Sequence, residues 1–326
     1  MEQMIKLTIA VPTYNGAKYI RQCLNSILEQ IESGVELLIS DNASTDETPK
    51  IVQEYQSKFS CIRYICNERN LGADTNFDLA VRRSLGEYVW LFGDDDTMKP
   101  GAIGKVLRVI AENPNLAAIF VNYSIYSQDM RSCEKDKDVD FKGDVLCVTS
   151  DEFLKTVRIA PIFISANIVQ RRTWIQTDTS PYIGSNWIQF GTLMDMVIGR
   201  TTYCIEYPYV NLRTGAARWK NGGQFYKNTL SLYNILAKLP SEGYSEDSVE
   251  HAMEPIITHL SRTIRSAKRE GLVVDKTLLQ ASILAFNNLS CFWFKQFPLL
   301  VIPGIVYRLF YGRYIRRKIK EYWGRL

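Results

Sequence analysis

Strand-like and helix-like patterns alternate four times between residues 7 and 122, and few folds can absorb that rhythm. Leu7 to Val11 is a short apolar run ending at Pro12, the pattern of a buried strand, and Asn15-Gly16 follows as a turn. Tyr19, Ile20, Cys23, Leu24, Ile27, Leu28 and Ile31 then recur every three or four residues, giving one apolar helix face. Val35 to Ser40 reads as a second strand. Ser44 and Glu47 have the spacing of a capping box, opening a helix with Ile51, Val52 and Tyr55 inward. A strand over Ile62 to Cys66, a helix over Ala73 to Leu85 and a strand over Tyr88 to Phe92 follow. Another helix comes after Pro100, and Ala118 to Asn122 is strand-like. The alternation predicts an α/β fold: a mainly parallel sheet, helices on both faces, ligands at the carboxyl ends of the strands.

Beyond Asn122 the rhythm weakens. Ser127 to Lys142 is polar and reads as a solvated loop, Ser150 as the cap of a helix reaching Val157, and Phe163 to Gln170 as a strand. Asn186 to Ile198 reads as a helix and Tyr203 to Leu212 as extended chain. From Gln224 onward the pattern is helical, including Glu246 to Arg269 and Lys276 to Leu289. The expected division is therefore an α/β domain over 1–222, with halves at 1–122 and 123–222, and a helical region over 223–326.

The 326 residues, 46% hydrophobic and 23% charged, suffice for a large core without metal staples, which excludes bulk disorder. Seven cysteines without a CxxC pair point to reduced thiols rather than a disulfide framework or a structural zinc. The net charge of +4 is unevenly spread. From Arg308 to Arg325 seven basic residues face only Glu321, so the rest of the chain is slightly acidic. Such a tail suits an anionic surface, membrane or nucleic acid. Aromatic residues crowd the same stretch, Phe292 to Trp323, and its longest uncharged run is too short to span a bilayer. The reading is an interfacial segment on a membrane, with no nucleic-acid partner. Met1 to Leu7 lacks a signal-peptide pattern, so the expected location is cytoplasmic, peripheral to the inner face of the cell membrane.

The strongest chemical signal is Gly93-Asp94-Asp95-Asp96, directly after the strand Tyr88 to Phe92. In extended chain Asp94 and Asp96 share one side. Paired carboxylate oxygens suit a hard divalent cation, Mg²⁺ or Mn²⁺, with positions left for phosphate oxygens. Asp41 closes the second strand similarly; it is either a contact for a base or ribose or a turn residue. No GxxxxGK[ST] or GxGxxG motif is present, which argues against the common kinase, ATPase and NAD-dependent types.

Taken together, Ile9-Ala-Val-Pro12-Thr13-Tyr14-Asn15, Ser40-Asp41-Asn42-Ala-Ser44-Thr-Asp46, Asn70-Leu-Gly72 and Gly86-Glu87-Tyr88-Val-Trp-Leu-Phe-Gly-Asp94-Asp95-Asp96 resemble family 2 glycosyltransferases of GT-A fold, within them the bacterial abequosyltransferase-like O-antigen enzymes. The resemblance covers roughly the first 110 residues. It implies a nucleotide-sugar donor, a divalent cation, and a glycan or lipid-linked acceptor, with inversion at the anomeric carbon. It implies that Pro12, Thr13 and Tyr14 line the nucleotide pocket, that Asp41 meets base or ribose, and that Asp94 contacts ribose or metal. Asp96 becomes the favoured metal ligand, with Asp95 beside it. Two departures stand out. Where relatives carry an Arg-Asn pair, this chain has Asn76-Phe77-Asp78. Where they carry a Glu-Asp pair opening a later helix, it has Gly184-Ser185-Asn186-Trp187-Ile-Gln189. Asp195 and Asp178 are the substitute candidates for the base. Arg213-Thr-Gly-Ala-Ala-Arg218-Trp219-Lys220 resembles a closing loop in which Arg218 would pair with diphosphate. The rival to an enzyme is a catalytically weak nucleotide-sugar-binding or scaffold protein of the same fold.

Overall fold

A computed structural model describes residues 5–215, 222–287, 289–290 and 292–303. Strands β1 (Leu7–Thr13), β2 (Val35–Asp41), β3 (Ile62–Cys66) and β4 (Tyr88–Leu91) form the expected parallel core in the order β3-β2-β1-β4. Helices α1 (Ile20–Leu28), α2 (Thr48–Gln56) and α3 (Ala73–Arg83) connect them. Every residue of β1 and β2 is buried, as befits strands covered on both faces. Gly86 is required before β4, because a Cβ there would lie 2.5 Å from the backbone nitrogen of Thr8.

After β5 (Thr97–Met98) and helix α4 (Ala102–Glu112), the sheet continues through β6 (Ala118–Tyr126) and β10 (Thr202–Arg213), which pair in parallel. Two short hairpin strands, β7 (Cys133–Lys135) and β8 (Val145–Cys147), pair with β6 and β10, so the polar stretch from Ser127 to Lys142 is partly strand. Between β4 and β6 lies β9 (Asn167–Gln170), antiparallel to both. The strand expected from Phe163 is shorter, because Ala160–Ile162 and Ile164–Ala166 coil into single 3₁₀ turns. Those turns set up the site described below.

Two helix starts differ from expectation. Ser44 and Glu47 make no capping box: the Ser44 hydroxyl is spent on Asp41, and Asp46 instead accepts from Thr48 N at 3.0 Å. The box appears at α5 (Ser150–Val157), where Thr149 rather than Ser150 is the cap and Glu152 returns the bond to the Thr149 backbone. Helices α6 (Arg171–Gln176) and α7 (Ile188–Met196) complete the second half.

The chain divides into two units. The first holds Met1–Ala216 together with Leu239–Ala252, the second Ala217–Lys238 with Met253–Leu326. The boundary thus differs from a simple cut at 222. The segment from 239 returns to the first unit because Tyr244 donates to the Met194 carbonyl and Ser245 and Ser248 donate to Asp151. The second unit contains α8 (Gly222–Lys238), most of α9 (Glu246–Arg269), α10 (Lys276–Phe286) and α11 (Phe297–Val301). Tyr233, Phe286, Phe292 and Phe297 pack in its aromatic core. Among the described residues no helix is long and apolar enough to cross a membrane.

Candidate active site

Register alone brings three candidate positions into one row. Thr13 pairs with Asp41 across β1 and β2, and the β1–β4 register, carried three residues beyond Ala10↔Leu91, sets Thr13 beside Asp94. The Thr13 hydroxyl donates to Asp94 Oδ2 at 2.5 Å. Gly16 lies against this pair; a Cβ on it would come within 2.2 Å of Asp94 Oδ2.

Asp94 and Asp96 are 8% and 3% exposed, whereas Asp95 is half-buried. Asp96 accepts from the Ser165 hydroxyl at 2.6 Å and from the Arg213 backbone N–H at 3.1 Å. Burial pushes its carboxyl well above the ordinary range, and repulsion from Asp95 and Asp94 adds to this against those two hydrogen bonds. Ser165 comes from the second 3₁₀ turn and also accepts from Gly93 N at 2.8 Å. Gly93 has no room for a side chain, since a Cβ would lie 2.7 Å from Asp96 Oδ2.

Arg213, at the end of β10, closes the other side. Its Nε donates to the Asp95 carbonyl at 2.7 Å, and its terminal nitrogens donate to the Gln128 carbonyl and Gln22 Oε1. The guanidinium lies 4.4 Å from the centre of the Tyr19 ring. A cleft of about 670 Å³ opens here, lined by Lys18, Tyr19, Gln22, Ser127, Gln128, Asp129 and Arg213.

Asp41 is fully buried. Its Oδ1 accepts from the Ser44 N–H and hydroxyl, and its Oδ2 accepts from Tyr64 at 2.6 Å. These bonds give it a turn-holding role at the carboxyl end of β2. The loops after β1 and β2 are laced together: Asn15 N donates to Ser44 Oγ and Thr45 N donates to Asn15 Oδ1, each at 2.8 Å. The Asn70-Leu-Gly72 motif is scaffolding of the same kind, with Asn42 bonded to Asn70, Gly72 and Leu71.

The two candidate bases are each tied to a tyrosine or serine of their own region. Asp178 is exposed and caps a turn at Ser180, whose hydroxyl first and backbone N–H second draw its pKa down. Asp195 accepts from the Tyr182 hydroxyl at 2.7 Å. At the segment lacking the Glu-Asp pair, the buried Asp74 of α3 supplies a carboxylate from elsewhere, accepting from Gly184 N and Asn186 N at 2.8 Å each. Arg218 lies outside the described residues.

Residues 8–176 match the family described as Glycosyl transferase family 2. The chain belongs to that family. The abequosyltransferase RfbV of Salmonella typhimurium is 25% identical over 279 residues, covering 77% of this chain and 79% of that protein. The putative teichuronic acid biosynthesis glycosyltransferase TuaG of Bacillus subtilis is 32% identical over 234 residues, covering 72% and 89%. In structure, this glycosyltransferase resembles S. aureus TarS 1–349 in complex with UDP-GlcNAc (TM-score 0.58, 15% identity, 94% and 92% covered). It also resembles the mannosyltransferase PcManGT of Pyrobaculum calidifontis in complex with GDP-Man and Mn²⁺ (TM-score 0.53, 17% identity, 93% and 87% covered). The fold is GT-A, and the enzyme is related to bacterial polysaccharide and O-antigen transferases.

Proposed function

We propose that this glycosyltransferase moves one sugar from a nucleoside-diphosphate donor to a glycan acceptor, lipid-linked, in surface polysaccharide assembly, using the carboxylates after β4. The observation that carries this reading is the braced pair Asp94 and Asp96, buried by Thr13, Ser165 and Arg213 at the carboxyl ends of the parallel strands. The donor set fits Mg²⁺ or Mn²⁺. Among the described residues no three Asp, Glu, His or Cys side chains converge as a cage, so such a cation would be held by one or two carboxylates together with substrate phosphates. Asp96 would be the principal ligand, with Asp94 and Asp95 beside it. When bound, the cation supplies Lewis-acid stabilisation of charge on the departing diphosphate.

The remaining steps fall to the chain itself. Pro12, Thr13 and Tyr14 line the nucleotide pocket, and Asp41 with its turn receives base or ribose. Arg218, five residues beyond Arg213 in the sequence, pairs with the diphosphate. The acceptor oxygen bonds to the anomeric carbon from the face opposite the breaking bond to phosphate, which inverts that centre. Its proton passes to a carboxylate. Asp195 is placed ahead of Asp178 for this task, because Asp178 is solvated and its lowered pKa makes it a weaker base.

A panel of UDP, GDP, CDP and dTDP with and without Mn²⁺ tests the reading by thermal shift. A ligand at a hundredfold excess over its Kd stabilises the folded state by about 2.7 kcal/mol. One diphosphate should raise the melting temperature by several degrees, and more with Mn²⁺ present. No shift from any of the four would end the proposal.

Membrane contact belongs to the same proposal. Phe294, 85% exposed, shares helical spacing with the exposed Pro298 and Val301 just before the basic stretch Arg308 to Arg325. Phe294→Glu should lower flotation with anionic vesicles several-fold and leave a water-soluble acceptor's turnover unchanged. Equal flotation with neutral vesicles would contradict the electrostatic half of this argument.

A further inference from the structure

We infer that Arg213 is a positioning residue for the carboxylate triplet, fixing Asp95 and Asp96 in the geometry that cation and diphosphate binding require. The inference rests on the function proposed above. Arg213 grips the triplet twice, by backbone and by side chain: its N–H donates to Asp96 Oδ1 and its Nε to the Asp95 carbonyl. The rest of the guanidinium is anchored away from the acids, on the Gln128 carbonyl, on Gln22 Oε1 and over the Tyr19 ring. At 6% exposure the side chain is almost completely enclosed.

A planar fork held at three oxygens cannot swing, so the Asp95–Asp96 peptide is pinned from outside its own loop. The hydrogen bonds of its guanidinium go to carbonyl and amide oxygens.

The test compares Arg213→Met and Arg213→Lys with wild type. Each is titrated calorimetrically, at fixed Mn²⁺, with whichever of UDP, GDP, CDP and dTDP most raises the wild-type melting temperature. Thermal denaturation without ligand is recorded alongside. Arg213→Met should bind the diphosphate at least about tenfold more weakly while still unfolding cooperatively. Arg213→Lys keeps the charge but loses the fork, and should stay within about threefold of Arg213→Met. Wild-type affinity in either variant overturns the inference, including full rescue by Lys, which would mean that charge alone matters. A merely structural arginine would lower the melting temperature without changing the affinity of the folded protein, and that result also overturns it. Should both variants fail to fold, Gln22→Ala removes one anchor at an exposed helix position. A two- to threefold loss of affinity is then expected, and no loss counts against the inference. If no diphosphate binds the wild type, the function proposed above falls and this inference with it, whereas wild-type binding with unchanged variants sinks the inference alone.

Discussion

Replacing Asp96 by Asn should lower donor turnover at least about a thousandfold while the protein stays folded. The loss follows from removing the principal oxygen charge beside the departing diphosphate; several kcal/mol of transition-state stabilisation is at stake, and each 1.36 kcal/mol is tenfold in rate. The fold should tolerate the change. Asn keeps one oxygen to accept from Arg213 N, and the Ser165 hydroxyl can turn to accept from the new amide while still accepting from Gly93 N. Stability should even rise, because the native carboxylate is buried among like charges. The sign can be checked against pH. A carboxyl raised in the folded state binds its proton more tightly there than in the unfolded chain. Its penalty is therefore absent below the ordinary value of 3.8 and grows as pH rises through and beyond it. The Asn variant escapes that penalty, so its advantage in urea denaturation without metal should widen from pH 4 upward. Nucleotide release assays measure the rate. A variant that turns over at the wild-type rate would remove Asp96 from the chemistry, whereas an unchanged cellular role in a strain carrying only Asp96→Asn would favour the rival reading, a scaffold that uses the fold without the chemistry.

Much of this site was legible because its parts are local. Apolar runs alternating with helical periodicity identify β1 to β4, and in a parallel sheet the carboxyl ends of adjacent strands fall on one edge. Asp41 and Asp94 therefore meet Thr13 without further information. What the sequence hid was long-range. Ser165 looked like the interior of a strand, yet 3₁₀ turns carry it to Asp96, and neither turn has a period that would announce it. Arg213 meets Gln22 across 191 residues, a distance no local pattern encodes. The antiparallel direction of β9 is likewise set by its neighbours rather than by its own four residues. Ser44 misled for a related reason. Its spacing to Glu47 is that of a capping box, but the hydroxyl had a closer competitor in Asp41. Asp74 shows the converse. It resembles an ordinary first-turn acid on α3, and only tertiary packing turns it toward the N–H groups that open α7.

Gly16→Ala is the second large effect expected, and it separates geometry from charge because it alters no acid. Gly16 does not adopt a left-handed backbone conformation, so alanine is permitted on conformational grounds. The obstacle is contact: the new methyl would sit 2.2 Å from Asp94 Oδ2 and 2.5 Å from Thr13 Oγ1. Either the Asp94 carboxylate rotates away from the Thr13 hydroxyl or the turn opening α1 shifts, where the Gly16 carbonyl accepts from Tyr19 N and Ile20 N. Inserting a methylene-sized group into a closed site costs about 1–3 kcal/mol. A displaced carboxylate should also weaken nucleotide-sugar binding at least about tenfold and lower turnover further, since about 1 Å of misplacement can cost a hundredfold in rate. A double-mutant cycle locates the strain. If the methyl acts by displacing Asp94, then in an Asp94→Ala background only the rotatable Thr13 hydroxyl remains against it, and the stability cost of Gly16→Ala should shrink by about 1 kcal/mol or more. Additive costs in urea denaturation would place the strain in the α1 turn instead and remove Asp94 from the explanation.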